Sequence, residues 1–208
     1  MDGAARIGVF GGTFDPIHHG HLAAASEAGH AFRLDEVIFV PTGQPWQKAD
    51  RPLAPAEDRY LMTVIATAGD PLFSVSRIEI DRPGATYTVD TLRELRAQRG
   101  PEADFFFIIG ADALSGLASW HAPREVLSMA HFIGLTRRGH QLADNSLGSE
   151  QFDLMEMPTL EISSSICRKR IRAGLPITYL VPDGVISYIS KRGLYGSEEQ
   201  RVGTSSTA

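Results

Sequence analysis

Short apolar segments recur along the first two-thirds of the chain. Three of them end at Gly or Pro and have the composition of strands that are covered on both faces: Ile7–Phe10, Glu36–Val40 and Phe105–Ile109. Phe73–Ile80 shows partial alternation of apolar and polar residues, and His131–Leu135 is a further apolar run. These five segments are the predicted strands.

Helix-like segments lie between the predicted strands: His19–Phe32, Glu57–Ala68 and Val89–Arg99. In the last of them, Val89, Leu92 and Leu95 share one face. Alternating strands and helices are the signature of a parallel sheet with right-handed crossovers. The sequence therefore predicts an α/β protein with a Rossmann-like, doubly wound parallel sheet.

Two further helices are predicted near the C-terminus, where they would form a small helical part. Ser163–Ala173 opens with serines, Asp183–Arg192 follows it, and each segment is stopped by a glycine. The polar loops 41–55 and 138–151 are either mobile lids or surface excursions, and for 138–151 we favour a surface excursion.

The composition of the 208 residues narrows the class of protein. No apolar run is long enough to span a membrane and no secretory signal pattern opens the chain, so we expect a cytoplasmic protein. Cys167 is the single cysteine, which excludes an internal disulfide and is read as an ordinary thiol. The net charge of -5 argues against nucleic acid or an anionic membrane as partner. Positive potential for a phosphate ligand must therefore be local.

The segment Gly11–Leu22, GGTFDPIHHGHL, follows the first predicted strand and opens the first predicted helix. Glycines at the end of a parallel strand let the backbone approach phosphates, and a helix N-terminus offers free N–H groups. The segment is neither a Walker loop nor a G-x-G-x-x-G turn. His18 and His21 are three residues apart, so they face one side of the helix and can donate to phosphate oxygens.

Two other interpretations of these histidines are open at this point. Three histidines within four residues could bind zinc, but the i, i+4 pairing of H-E-x-x-H and a cysteine cluster are both missing. A histidine at a helix start is also commonly a surface or capping residue. The glycine turn just upstream favours phosphate binding.

A second segment, Ile162–Arg168, has the sequence ISSSICR. Serines at a helix start leave hydroxyl and N–H groups free for phosphate, and Arg168 can contact a pair of phosphate oxygens. An ordinary N-cap followed by a solvated basic helix is the alternative, and it would be preferred if the first segment were absent.

These two segments carry a resemblance. Gly11–Leu22 resembles the signature of the nucleotidyltransferase superfamily with the (H/T)-x-G-H motif, and Ile162–Arg168 is similar to its second motif, Ile-Ser-Ser-Thr-x-x-Arg. Four further segments extend the likeness: Ala85–Thr88, Gly110–Asp112, Ser119–Trp120 and Pro182–Asp183. From about residue 6 to residue 196 the chain resembles bacterial nicotinate-nucleotide adenylyltransferases, and it looks most like an actinobacterial or, more narrowly, a mycobacterial member.

The resemblance implies transfer of AMP from ATP to nicotinate mononucleotide, which gives deamido-NAD and pyrophosphate in NAD biosynthesis. It implies one nucleotidyltransferase domain over residues 1–196, and the small polar residues 197–208 read as a disordered tail. The implied partners are these two small molecules, without nucleic acid or membrane, and a homo-oligomer is compatible with the sequence. Mg²⁺ is the implied cofactor, held mainly by ATP oxygens without a protein metal site.

The resemblance also implies roles for individual residues. The expected catalytic residues are His18, His21 and Arg168. The expected ATP ligands are Gly11, Gly12, Thr13, Phe14, His18, His21, Gly110, Ser165 and Arg168. The expected ligands of nicotinate mononucleotide are Asp15, Lys48, Thr86, Tyr87, Asp112 and Trp120. Trp120 would stack on the nicotinate ring, the main-chain N–H groups of Thr86 and Tyr87 would bind its carboxylate, and Asp112 would bind a ribose hydroxyl.

One departure from the family and several competing functions remain. Relatives usually carry Pro-Pro-His-Lys where this chain has Pro45-Trp46-Gln47-Lys48, and Trp46 could narrow the site, stack on a ligand or form an interface.

An adenylyl- or cytidylyltransferase for another acceptor, such as phosphopantetheine, would share the phosphate motifs but not Thr86, Tyr87 and Trp120. A non-catalytic nucleotide-binding regulator would be expected to lose the histidines or the arginine. A redox Rossmann domain is disfavoured because its glycine spacing is missing.

Overall fold

The structure is a computed structural model that describes residues 4–44, 52–110, 113–114, 116–137, 152–157 and 161–196. Its strands are β1 Arg6–Gly12, β2 Glu36–Pro41, β3 Phe73–Val75, β4 Asp104–Gly110, β5 His131–Arg137 and β6 Phe152–Met157. Its helices are α1 His19–Ala31, α2 Ala56–Thr67, α3 Thr88–Arg99, α4 Pro123–Met129, α5 Ser164–Arg172 and α6 Asp183–Arg192. A short 3₁₀ turn covers Leu117–Ser119. Loop 138–151 and the tail 197–208 lie outside the described residues.

All six strands are parallel and form one sheet in the order β3-β2-β1-β4-β5-β6. The chain runs outward in one direction from β1 to β3 and then returns to β4, which lies on the other side of β1. The doubly wound parallel sheet predicted from the sequence is therefore confirmed. Between β1 and β4 the strand order reverses, and open α/β sheets bind ligands outside the carboxyl ends of their strands at such a point.

Strand β4 shows why the central strands read as continuous apolar runs. Phe106 and Ile108 pack on one face of the sheet with α1, α5 and α6. Phe105, Phe107 and Ile109 pack on the other face with α3 and α4. Because helices cover both faces, every position from Phe105 to Ile109 is apolar and period-two alternation disappears. This packing fixes the end of β4 beside the end of β1.

Three elements differ from the sequence prediction. Strand β3 ends at Val75 instead of continuing to Ile80, because the chain turns after Ser76 donates its N–H to the Phe39 carbonyl at 2.9 Å. Helix α4 is only seven residues long and was not predicted. Strand β6 was missed because it is an edge strand, with Asp153 and Glu156 exposed. Within the described residues, no helix has the length and apolar composition needed to cross a membrane.

Candidate active site

Two cavities open at the point where the strand order reverses, and both are lined by Gly11 and Gly12 at the end of β1. The first, which we call the histidine cavity, has a volume of about 340 Å³ and is bordered by Phe14, His18, His21, Gly110 and Ile162. The second, the tryptophan cavity, has a volume of about 240 Å³ and is bordered by Thr13, Glu79, Thr86, Tyr87, Trp120 and His121. A ligand in one cavity would therefore lie next to a ligand in the other across the glycine turn.

His18 and His21 face the histidine cavity as a stacked pair. Helix α1 begins at His19 and His18 is its N-cap residue. The two imidazole rings lie 3.6 Å apart between centroids with an interplanar angle of 22°. The main-chain N–H of His18 donates to Nδ1 of His21 at 3.2 Å. Because Nδ1 is an acceptor here, Nε2 is the nitrogen of the His21 ring that carries a donor proton.

The surroundings of the pair fix the rings in place. Phe14 packs edge-on against the His21 ring at 5.1 Å between centroids. A side chain on Gly20 would approach Nδ1 of His18 to 3.0 Å, so the close passage of the helix over this ring favours glycine. His18 is 6% exposed, and its Nδ1 has no hydrogen-bond partner within the described part of the chain. Burial, with a contribution from His19, lowers the pKa of His18 to about 4. The His18 ring is therefore neutral at pH 7.

The lowered pKa of His18 predicts that the protein loses stability in mild acid. As the pH falls from 6.5 towards about 4, His18 becomes protonated in the unfolded chain while it stays neutral in the folded protein. The free energy of unfolding should therefore fall through this window, by up to roughly 3 kcal/mol. Urea unfolding of the ligand-free protein at several pH values measures the slope. His18→Asn should flatten it, whereas His30→Asn, at an exposed position of α1, should leave it unchanged; equal slopes in all three proteins would contradict the assignment.

The two sequence motifs meet in the structure. One Nη atom of Arg168 donates to the Asp15 carbonyl at 2.6 Å, and the other donates to Ser165 Oγ at 3.1 Å. Ser164 Oγ donates to the Pro16 carbonyl at 2.9 Å. Helix α5 is thus fastened to the loop between β1 and α1. Arg168 is 9% exposed. Neither Arg168 nor Ser165 borders the histidine cavity, and Ile162 is the residue of the second motif that does.

Asp15 lies beneath the site and not on the wall of either cavity. Its side chain is buried, with one oxygen accepting from the Tyr195 hydroxyl at 2.7 Å and from the Ala54 N–H at 3.1 Å. The other oxygen faces Arg168 at 3.6 Å. Burial and the Asp15 carboxylate raise the pKa of Tyr195 well above its usual range. The expectation that Asp15 touches the acceptor is therefore revised, because its carboxylate is turned inward to hold the chain around the glycine turn.

The tryptophan cavity brings together three of the residues predicted for the acceptor. Thr86 and Tyr87 lie on one wall with Trp120, which also packs edge-on against Phe107 at 6.1 Å. Tyr87 is the N-cap residue of α3, so the first N–H groups of that helix lack intrahelical acceptors. The N–H of Thr86 already donates to the Gln44 carbonyl at 3.3 Å. The predicted pair of free N–H donors at Thr86 and Tyr87 is therefore not present as such.

Lys48 and Asp112 lie outside the described residues, as does the Pro45-Trp46-Gln47 segment in which the chain departs from its relatives. Among the residues that are described, no group of three His, Cys, Asp or Glu side chains is placed to hold a metal ion.

Arg59 is the most prominent residue that the sequence analysis missed. It is 1% exposed, and its guanidinium donates to four main-chain carbonyls: Thr13 at 2.9 Å, Thr42 at 2.6 Å, Gly43 at 2.9 Å and Ala54 at 3.1 Å. It therefore joins the loop after β1 to the loop after β2. A weak signal exists in the sequence, since Arg59 shares the buried face of α2 with Met62 and Thr63 at helical spacing.

The fold and the site define a nucleotide-binding α/β protein with room for two ligands side by side at a glycine turn. The cytidylyltransferase-like family matches residues 9–170. A probable nicotinate-nucleotide adenylyltransferase of Acidothermus cellulolyticus is 65% identical over 196 residues, which cover 92% of this chain and 94% of the relative. The corresponding protein of Saccharopolyspora erythraea is 60% identical, with 98% and 95% covered.

Solved structures show the same fold at low identity. The nicotinic acid mononucleotide adenylyltransferase of Plasmodium falciparum complexed with NaAD has a TM-score of 0.76 at 22% identity, covering 91% of this chain and 97% of that one. The same enzyme complexed with APC has a TM-score of 0.74 and covers 92% and 97%. The chain thus belongs to the cytidylyltransferase-like family and, within it, to the nicotinate-nucleotide adenylyltransferases with actinobacterial relatives.

Proposed function

We propose that this nucleotidyltransferase transfers AMP from ATP to nicotinate mononucleotide, giving deamido-NAD and pyrophosphate in NAD biosynthesis. The observation that carries the proposal is the pair of cavities that share Gly11 and Gly12, with the stacked histidines on one side and Trp120 on the other. The names of relatives up to 65% identical support the choice of reaction and acceptor. ATP and nicotinate mononucleotide are the proposed small-molecule partners.

The reaction needs alignment of two anions and no protein nucleophile. The acceptor phosphate attacks the α-phosphorus of ATP in line with the departing pyrophosphate, so the enzyme must bring both together and neutralise the growing charge. We assign ATP to the histidine cavity, where Nε2–H of His21 and a ring N–H of neutral His18 donate to its phosphates. The acceptor lies in the tryptophan cavity with its ring against Trp120. Its phosphate then reaches the α-phosphorus across Gly11 and Gly12.

Arg168 and Ser165 retain their proposed role in triphosphate binding, and the guanidinium is engaged with the Asp15 carbonyl and Ser165 Oγ. Thr13, Phe14 and Gly110 are the remaining proposed ATP contacts, and Phe14 and Gly110 border the histidine cavity. Lys48 and Asp112 stay proposed ligands of the acceptor. Asp15 acts through Arg168 and the glycine turn as a positioning residue.

Enzymes of this family use a divalent metal ion together with ATP, and we propose Mg²⁺. The one carboxylate within the segment Gly11–Leu22, that of Asp15, is buried and turned towards Arg168, which suits an ion held by ATP oxygens. Mg²⁺ supplies charge neutralisation on the phosphates. Chelation with EDTA should abolish dinucleotide formation and added Mg²⁺ should restore it, measured as pyrophosphate release. Restoration by zinc alone would contradict the proposal.

The acceptor preference tests the proposal most directly. A carboxylate can accept from the N–H groups at the start of α3 and gains from the partial positive charge there, whereas the amide NH₂ of nicotinamide would leave a donor unpaired. We expect kcat/KM to favour nicotinate mononucleotide over nicotinamide mononucleotide by at least about tenfold. Incubation with ATP, Mg²⁺ and each acceptor, followed by chromatography of the products, measures the ratio.

The same assay separates the competing functions. Phosphopantetheine as the better acceptor would favour the related adenylyltransferase, and nucleotide binding without turnover of any acceptor would favour the regulator.

Trp120→Ala should weaken the use of both pyridine mononucleotides by a similar factor, because stacking depends on the ring that they share. Equal use of the two acceptors by the unaltered protein would refute recognition by the α3 N-terminus.

A further inference from the structure

Glu79 is a buried carboxyl group in the wall of the tryptophan cavity. It is 8% exposed and borders this cavity together with Thr86, Tyr87 and Trp120. The proposed acceptor carries a carboxylate of its own into the same cavity. Two carboxylates confined in one small cavity repel each other, so a carboxyl group at this position would oppose the preferred acceptor if both were ionised.

Thr91 provides a means of removing that repulsion. Its Oγ1 lies 2.7 Å from Glu79 Oε1 and 3.3 Å from the carbonyl oxygen of Tyr87. A hydroxyl group has one proton and can donate to one acceptor at a time. When Glu79 is ionised, Thr91 donates to it. When Glu79 is protonated, Glu79 donates to Thr91, and the Thr91 proton is released to the Tyr87 carbonyl.

We propose that Glu79 is a specificity-determining residue of the acceptor cavity, which takes up one proton from the solvent when the carboxylate form of the acceptor binds. The proton resides on Oε1 of Glu79 and is donated to Thr91 Oγ1, and the Thr91 hydroxyl proton turns to the carbonyl of Tyr87. Tyr87 is the N-cap residue of α3, where we place the acceptor carboxylate. This inference rests on the proposed function, because it concerns how that acceptor is accommodated.

The surroundings of Glu79 are compatible with either protonation state. Burial raises its pKa, while hydrogen bonds from Thr91, Thr86 and the Gly43 N–H lower it in part. Two arginines act on Glu79, Arg82 on its own segment and Arg59 of α2. Glu94 of α3 acts on it through its pair with Arg82 at 2.6 Å. Tyr87 and His121 are the other titratable residues that line the cavity. Arg82 favours the ionised form of Glu79, and the Glu79 carboxylate in turn raises the pKa of Arg59.

Isothermal titration calorimetry with the whole chain measures how many protons the protein takes up when an acceptor binds. Nicotinate and nicotinamide mononucleotides are titrated separately, without ATP, in two buffers of different ionisation enthalpy at about pH 7.5, where the shared phosphate (pKa near 6) is ionised in both. Binding of the nicotinate form should take up more protons than binding of the nicotinamide form, by up to one per site. Above neutral pH, KM for the nicotinate form should rise by up to about tenfold per pH unit relative to the nicotinamide form.

Three variants sharpen the test. Glu79→Gln, a neutral mimic of the protonated acid, should abolish the extra proton uptake and make the ratio of the two KM values independent of pH. Thr91→Val should lower the extra uptake because it removes the relay. Glu102→Gln changes an exposed carboxyl that does not border the tryptophan cavity and should keep the pH dependence of the ratio.

Equal proton uptake for both acceptors in the unaltered protein would overturn the inference, as would uptake that persists in Glu79→Gln. If Glu79→Gln fails to fold, the calorimetric comparison in the unaltered protein still decides. Failure of the proposed function looks different, since the protein would then not convert nicotinate mononucleotide and ATP into a dinucleotide at any pH.

Discussion

Replacement of His21 by Ala is expected to lower kcat by roughly 10²-fold or more while the protein stays folded. The His21 ring borders the histidine cavity, and its Nδ1 accepts from the His18 N–H, so Nε2 is the nitrogen that we assign as donor to the ATP phosphates. A donor aimed at charge that develops in the transition state lowers the barrier by about 3 kcal/mol. Steady-state kinetics with both substrates saturating measures kcat, and circular dichroism checks the fold.

His21→Asn separates the two nitrogen atoms of the ring. The side-chain oxygen of Asn can replace Nδ1 as acceptor for the His18 N–H, but its short amide does not reach the position of Nε2. If the Nε2 donor carries the effect, His21→Asn should lose as much kcat as His21→Ala. Near-normal turnover in either folded variant would remove His21 from the catalytic residues. Recovery in the Asn variant alone would assign the ring a capping role at the start of α1.

The parts of the site that follow from local spacing could be predicted from the sequence. His18 is the N-cap residue of α1 and His21 is its third residue, and this local spacing brings their rings together although the backbone of His18 is extended. The glycine turn follows a buried strand, so the sequence alone places it at the carboxyl end of that strand, where both cavities lie. The apolar run of β4 predicted a strand with both faces covered, because the run has no polar position to expose.

The parts that depend on contacts between distant segments could not be predicted. Thr86 stands in a family segment, but its N–H is taken by Gln44, which is 42 positions earlier in the chain. Asp15 belongs to the glycine motif, yet Tyr195 and Arg168 turn its carboxylate inward. No local pattern records these partners. The edge strand β6 was missed for a related reason, since one solvent-exposed side leaves a weak apolar signal.

Arg59→Met should lower the free energy of unfolding by roughly 3 to 5 kcal/mol, the largest stability effect that we expect from one substitution near the site. Methionine fills much of the space but donates nothing, so the carbonyls of Thr13, Thr42, Gly43 and Ala54 lose their shared donor. Burial lowers the pKa of Arg59, yet the nearby carboxylates keep it charged, and charged donors make the stronger hydrogen bonds.

Arg93→Met is the matched control, because Arg93 also makes several charged hydrogen bonds, to Glu125 and Asp90, but its side chain is 50% exposed. Water replaces those contacts when they are lost, so the control should lower the free energy of unfolding much less than Arg59→Met does. Urea unfolding midpoints of the two variants measure the difference. Arg59→Lys keeps the charge but lacks the planar fork that reaches several carbonyls, and we expect it to fall between the parent and Arg59→Met. If Arg59→Met and Arg93→Met were equally stable, the buried arginine would not be what joins the loops after β1 and β2.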